Sequence, residues 1–234
     1  LLDDLNKEKY AKYILRYLAN ENINEGSEIL AAKLATDISR FDFAIQISKI
    51  ASYEKRFHHK YNYPIIGVPK NVKGRKIPDP AFILSIIRQE SEFDTSAHSS
   101  AGAKGLMQLM TYTARTVAKQ AKIPYSKKKL TKDPEYNINL GSFYIAGLLL
   151  EYDGSYPFAI AAYNAGPKRV KYWNKINKNP QKGKIDYVDW IELIKFKETR
   201  NYVQRVLENF NVYRFILEQK PIKLKNFFKN DPLY

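Results

Sequence analysis

Apolar residues in this chain recur every three or four positions, and almost nowhere do they alternate every second position. A chain patterned this way folds mainly as α-helix, because a 3.6-residue period gathers those side chains onto one helical face. Phe43, Ala44, Ile47, Ile50 and Ala51 make one such face. Ile29, Leu30, Leu34 and Ile38 make a second after Gly26-Ser27, and Tyr10, Tyr13, Ile14, Tyr17 and Leu18 a third. The opening stretch therefore reads as short amphipathic helices stacked as hairpins, with no fixed repeat period.

The pattern breaks once. Pro64, Gly67, Pro69, Gly74, Pro78 and Pro80 punctuate a stretch that cannot be one continuous helix. It divides the chain into a helical region, 1–62, and a larger domain, 63–234. Asp79 is placed to cap a helix with Pro80 at its first position, running over about 80–91 and carrying Phe82, Ile83, Ile86 and Ile87. A polar loop follows to Ala103. Helices are then expected near 113–121, 135–152, 157–163, 187–194 and 199–219, with Thr111, Asp133, Ser155 and Asp186 as their starts. The 92–110 and 166–185 regions leave room for a small hairpin.

Composition removes several kinds of chemistry. The absence of cysteine excludes disulfides, thiolate metal sites and cysteine nucleophiles. His58, His59 and His98 are too few for a His-rich metal site, and no Gly-x-Ser-x-Gly elbow accompanies them. The longest apolar runs, Phe82 to Ile87 and Tyr144 to Leu150, fall far short of the roughly 18 residues of a membrane span. A start at Leu1 with no leader reads as a mature or truncated piece. The net charge of +15 attracts polyanions, although compositional bias is its main source. The basic residues are scattered apart from Lys127, Lys128 and Lys129, so no nucleic-acid partner is expected.

One segment carries chemistry. In Arg88-Gln89-Glu90-Ser91, Glu90 lies four residues after Ile86 and three after Ile87, so it extends the apolar face of its helix. Desolvation there disfavours the charged form, and the C-terminal end of the helix dipole opposes it further. On the helix alone, an outward Glu90 paired with a basic neighbour is the commoner arrangement. Gly105 to Met110 sets one amide among apolar side chains. It could serve a sugar-binding groove, or simply the core. Ala161 to Pro167 delivers a phenol and an amide together at a helix end. Tyr163 could meet a carboxyl such as Glu90, or the segment could be a plain helix stop.

Taken in order, these segments resemble the family-1, soluble (Slt-type) lytic murein transglycosylases, whose catalytic domain is related to goose-type lysozyme. Matching pieces are Arg88 to Ser91, Gly102 to Met110, Asp133 to Gly141, Ala161 to Pro167 and Glu198 to Val203, over about 80–215. The resemblance implies a mainly α fold: a lysozyme-like helical catalytic domain preceded by a small superhelix-type linker region. It implies Glu90 as the single catalytic acid/base. Ser91, Ser99, Gln108, Met110, Tyr163, Asn164 and Glu198 are implied to line the substrate groove, Tyr163 in contact with the catalytic carboxyl. The implied reaction cleaves the MurNAc–GlcNAc bond of peptidoglycan and leaves 1,6-anhydro-MurNAc ends, with the substrate acetamido group as second participant. No metal or organic cofactor is implied. Glycan strands are the implied partner and the periplasm the implied location, with no partner among wall-synthesis or division proteins indicated. A lysozyme-like hydrolase using Asp94, Asp153 or Glu198 as a second acid, and a non-catalytic wall-binding helical protein, are the alternatives. Leu109, Thr111-Tyr112 and Lys195 depart from the family pattern, all away from Glu90.

Overall fold

A computed structural model describes residues 25–218, together with Tyr10, Tyr13, Ile14, Tyr17, Lys220, Lys223, Asn226 and Phe228. Of the expected face running from Tyr10 to Leu18, Leu18 lies outside the described residues, and Tyr10, Tyr13, Ile14 and Tyr17 are helical and 50–60% exposed.

Helices α1 (Glu25–Asp37) and α2 (Phe41–Tyr53) pack through Ala31, Ala32, Ala35, Phe43, Ala44 and Ile47, which form a hydrophobic cluster of their own. The α2 face is the expected one. The α1 face is not: Leu30 and Leu34 are 67% and 51% exposed, while three alanines turn inward. Small side chains let two helix backbones approach closely, and that contact outweighed the larger apolar stripe. Glu28 is buried on the same side. Arg56 Nη2 and Nε donate to its carboxylate at 2.5 and 3.1 Å, and His58 Nε2 lies at 3.2 Å. The Arg56 bonds dominate and hold the Glu28 carboxyl below its ordinary range despite burial. A short α3 (His59–Asn62) closes this region.

The punctuated stretch holds the one sheet among the described residues, β1 (Asn71–Val72) paired antiparallel with β2 (Arg75–Lys76) in the register Asn71↔Lys76 and Val72↔Arg75. Its two-residue turn, Lys73-Gly74, has positive φ at both positions (+49 and +84), the combination that matches strand twist in a tight hairpin. Of the two regions with room for a hairpin, 92–110 holds isolated bridges, His98↔Lys104 and Lys104↔Leu109. The 166–185 region holds helix and a 3-10 turn, with no strand.

Helix α4 (Pro80–Ser91) is the spine of the larger unit. Asp79 accepts from Ala81 N at 2.8 Å, and residues 81–88 are all buried. Around it stand α5 (Thr111–Gln120), α6 (Lys129–Lys132), α7 (Pro134–Glu151), α8 (Tyr156–Ala165), α9 (Pro167–Ile176), α10 (Tyr187–Glu192) and α11 (Lys197–Glu218). Asp133 and Asp186 cap α7 and α10 as expected, accepting from Tyr136 N and Val188 N. Thr111 and Ser155 also stand at the starts of α5 and α8 as expected, but neither side chain caps its helix, and Ser155 donates to the Tyr187 hydroxyl. The principal neighbour of α4 is α11, and α8 joins them through Phe82, Tyr156 and Phe210, whose ring centroids lie 4.8–5.3 Å apart. Helix α9 was not expected. It buries only Val170 and Trp173, too sparse a pattern to register as a periodic face. No helix among the described residues is long and apolar enough to cross a membrane.

The loop before α5 is set by two residues. Gly105 adopts φ +73, and a Cβ there would lie 2.0 Å from the Leu130 carbonyl oxygen and 2.4 Å from Asn137 Nδ2. Asn137 is fully buried. It accepts from Met107 N at 2.8 Å and donates to the Lys104 and Leu130 carbonyls at 2.9 Å each, satisfying three backbone groups at once. Gly105→Ala is therefore expected to destabilise the fold by about 3 kcal/mol or more, combining a strained φ with a backbone clash. Gly67→Ala, where nothing lies within 4 Å, is the control and stays within about 0.5 kcal/mol. Urea unfolding measures both; equal midpoints would contradict the packing.

Candidate active site

Glu90 sits in the last turn of α4, where the spine helix leaves the core. The side chain is part-buried, and its Oε1 accepts a 2.6 Å hydrogen bond from the Tyr202 hydroxyl, donated across from α11. No Lys or Arg pairs with it among the described residues. Burial is the main influence on the Glu90 carboxyl. The Tyr202 bond favours the charged form and offsets part of it, while the negative charge of Glu198 adds to it. The result is a carboxyl pushed up to about 7, so near neutrality it can both hold and release a proton. Tyr202 and Tyr163 are themselves pushed well above the ordinary phenol range, chiefly by burial, and stay protonated as donors.

The helix end is anchored on both sides of this acid. Arg88, buried, donates from Nε to the Asn62 carbonyl at 3.0 Å and from Nη2 to Asn62 Oδ1 at 2.8 Å. Glu92, at φ +49, receives Lys49 at 2.7 Å and Arg88 at 3.4 Å. Two residues before and two after Glu90, the chain is thus tied to α2 and α3, which limits how α4 can rotate.

The expected site residues divide into two groups. Tyr163 is near enough for the Glu90 charge to disfavour its ionisation, yet its hydroxyl donates to the Met107 carbonyl at 2.7 Å. The phenol bonded to the acid is Tyr202, a correction to the contact expected of Tyr163. Ser91 is a staple: its hydroxyl donates to the Leu106 carbonyl at 2.8 Å, fixing the 102–110 loop to the end of α4. Gln108 spends its amide hydrogens on the Gly105 and Ala97 carbonyls at 2.8 and 3.2 Å, so only Oε1 is left to face a ligand. Met107 is fully buried under Gly141, whereas Met110 is 44% exposed, so only one of the two methionines can touch a ligand.

Three residues stay accessible. Ser99 is exposed, with its hydroxyl oxygen accepting from Ala103 N at 2.9 Å. Asn164 Oδ1 accepts from Thr199 at 2.6 Å, which leaves the amide hydrogens of Asn164 as donors. Glu198 is exposed in the first turn of α11, where the helix dipole favours its charge. Asp94 behaves as a turn residue, accepting from Ser96 N and Oγ at 2.8 and 2.7 Å.

Sequence reasoning quoted Glu198 to Val203 as one motif but gave Tyr202 no role. Its spacing supplied a partial signal: Thr199, Tyr202, Val203, Val206, Leu207, Phe210 and Tyr213 form the buried stripe of α11, and Tyr202 is the phenol of that stripe inside the matched motif. The site predicts opposite responses in a pH–rate profile. A general acid is lost as pH rises through its pKa, so the alkaline limb reports Glu90. Tyr202→Phe removes a bond to the carboxylate and moves that limb to higher pH; Glu198→Gln removes a like charge and moves it lower. Shifts in the same direction would contradict the electrostatics.

Comparison with known proteins gives a consistent match. Residues 70–185 match the transglycosylase SLT domain. The soluble lytic murein transglycosylase of Escherichia coli K12 is 38% identical over 169 residues, which is 72% of this chain and 25% of that protein. A putative soluble lytic murein transglycosylase of Haemophilus influenzae is 30% identical over 94% of this chain and 36% of its own length. The crystal structure of the 70 kDa soluble lytic transglycosylase of Escherichia coli superposes with a TM-score of 0.80 at 30% identity, over 99% of this chain and 36% of that one. An inactive glutamate-to-glutamine mutant of the Slt enzyme from Pseudomonas aeruginosa gives 0.73 at 29% identity, over 98% of this chain and 36% of that one. The chain thus spans between a quarter and a little over a third of these relatives. Through its SLT domain, its sequence and its fold, it belongs to the soluble, Slt-type lytic murein transglycosylases.

Proposed function

We propose that this chain cleaves the β-1,4 bond between N-acetylmuramic acid and N-acetylglucosamine in peptidoglycan, as a lyase with Glu90 as its only acid/base. The observation that carries the reading is the state of that carboxyl: desolvated, held by one phenol, paired with no cation among the described residues and balanced near pH 7. Protonated Glu90 gives its proton to the glycosidic oxygen as the C1–O bond breaks. The acetamido carbonyl of the substrate stabilises the sugar cation. Glu90, now a carboxylate held by Tyr202, takes the proton of the 6-hydroxyl, whose oxygen bonds to C1. The product is a 1,6-anhydro end, no water is consumed, and Glu90 ends protonated. An acid that must act in both directions works best with a pKa near the working pH.

In this reading Ser99, Gln108 Oε1, Met110, Tyr163, Asn164 and Glu198 contact the glycan. Ser91 acts indirectly, by holding the loop that carries Gln108 and Met110. Residues 63–234 form the catalytic unit and 1–62 the end of a preceding helical region, a division supported by the separate hydrophobic cluster of α1 and α2. The substrate makes the periplasm the place of action. A muramidase reading has one observation in its favour, the second carboxylate of Glu198, close enough to influence Glu90.

Digestion of purified sacculi followed by mass spectrometry separates the two, because anhydro ends are one water lighter than reducing ends. Anhydro ends are expected; reducing ends would replace the lyase with a hydrolase. Glu90→Gln should slow cleavage about a thousandfold while preserving the fold. Folded Glu90 holds its proton more tightly than the unfolded chain does. Wild-type stability therefore falls as pH climbs from about 4.5 to about 7, a loss the glutamine variant escapes. That variant should be the more stable protein at pH 8, by at most ~3 kcal/mol. Full activity in the variant would remove Glu90 from its role.

A further inference from the structure

On the side of α7 that carries Phe143 and Leu150 lies a cavity of about 730 Å³, bounded by the β-hairpin and the segment that ends α5. Lys73, Arg75, Lys76 and Lys122 line it, with Gln120, Phe143 and Leu150, and no acidic side chain does. None of these four cations has a salt-bridge partner among the described residues. Glu151, one residue past Leu150, is drawn away by Lys171 at 2.8 Å. The α5 carbonyls at Val117, Ala118 and Lys119 are taken by the N–H groups of Ala121, Ile123 and Lys122.

Arg75 is fixed in place. Its Nη1 donates to the Phe143 carbonyl at 3.0 Å, and its guanidinium lies 3.7 Å from the centre of the Phe143 ring. Gly147 leaves room for it, since a Cβ there would come within 2.9 Å of Nη1. The remaining guanidinium donors are therefore pre-oriented, which lowers the entropic cost of a bond to an incoming anion. The three lysines are exposed and strongly hydrated, and they add charge from mobile stems.

We propose that this cavity binds a phosphate group carried on an organic moiety. Four cations around one cavity match an anion of more than one charge and more than two acceptor oxygens better than they match a lone carboxylate. The volume exceeds what the anion needs, and the exposed side chain of Leu150 offers an apolar contact to the carrier of the phosphate. None of the lining residues belongs to the surroundings of Glu90, and the site stands independently of the proposed activity.

The test must separate a local site from the overall charge of +15. The full chain is titrated with inorganic phosphate, followed by amide chemical shifts. Separately, it is co-sedimented with phosphatidylcholine vesicles with and without phosphatidylglycerol. Lys73→Glu/Lys76→Glu reverses two cavity charges, and Lys127→Glu/Lys128→Glu reverses two charges elsewhere. Both pairs are exposed, so neither exchange disturbs the core.

Saturable binding whose dissociation constant rises at least tenfold in the first variant, and less than threefold in the second, supports the site. Binding to inorganic phosphate identifies a soluble ester as its source; binding only to the anionic vesicles identifies a lipid headgroup. Equal weakening in both variants, or no saturable binding of either probe, overturns it.

Discussion

The larger unit of this molecule is arranged around one unfavourable placement, a carboxyl carried by a buried helix to the point where that helix emerges. Helix α4 is enclosed from Ala81 to Arg88, so the next turn must meet solvent, substrate or another helix. Glu90 keeps part of its surface open and meets Tyr202 of α11. Burial raises the cost of its charge, Tyr202 relieves some of that cost, and Glu198 restores some. A salt bridge in place of Tyr202 would hold the carboxyl ionised, and full exposure would return it to the ordinary range. The phenol is the intermediate solution: a donor strong enough to orient the acid, and neutral enough to leave it protonated part of the time.

The surrounding contacts make sense as ways of holding that geometry. Arg88 and Glu92 bracket the acid and tie the end of α4 to Lys49 and Asn62. Ser91 clips the following loop to the same helix end, and Asn137 satisfies two backbone groups of that loop and ties it to the Leu130 carbonyl of α6. Tyr163 then uses the Met107 carbonyl of this loop as its acceptor, so the phenol near the acid is oriented by the loop itself. Residues that look in sequence like substrate contacts are, in several cases, the joints that keep the contacts in place.

The sequence made α2 and α11 legible through their apolar period alone, and α4 and α7 also through an Asp cap followed by a Pro in the first turn. It made Glu90 legible for the same reason, as an acid in register with Ile86 and Ile87. The failures share a cause, namely that neighbours decided the outcome. Helix α1 offered a leucine face and an alanine face, and close packing on α2 chose alanine. Helix α9 buries too little to show a period. The β-hairpin is too short to alternate visibly, and only the left-handed pair Lys73-Gly74 marks it. The sequence pointed to Tyr163 and not to Tyr202, since which phenol reaches the acid depends on how α8 and α11 pack against α4.

The central claim concerns the charge state of a single side chain, and it can be observed directly. Carbon-13 labelling of glutamate side chains, with the Glu90 signal assigned by its disappearance in the glutamine variant, follows that carboxyl through a pH titration of the folded protein. A midpoint at about 7 is the result this structure predicts. A midpoint at or below 4.5, the value of an unperturbed glutamate, would show that the carboxyl is neither desolvated nor poised, and would contradict the account.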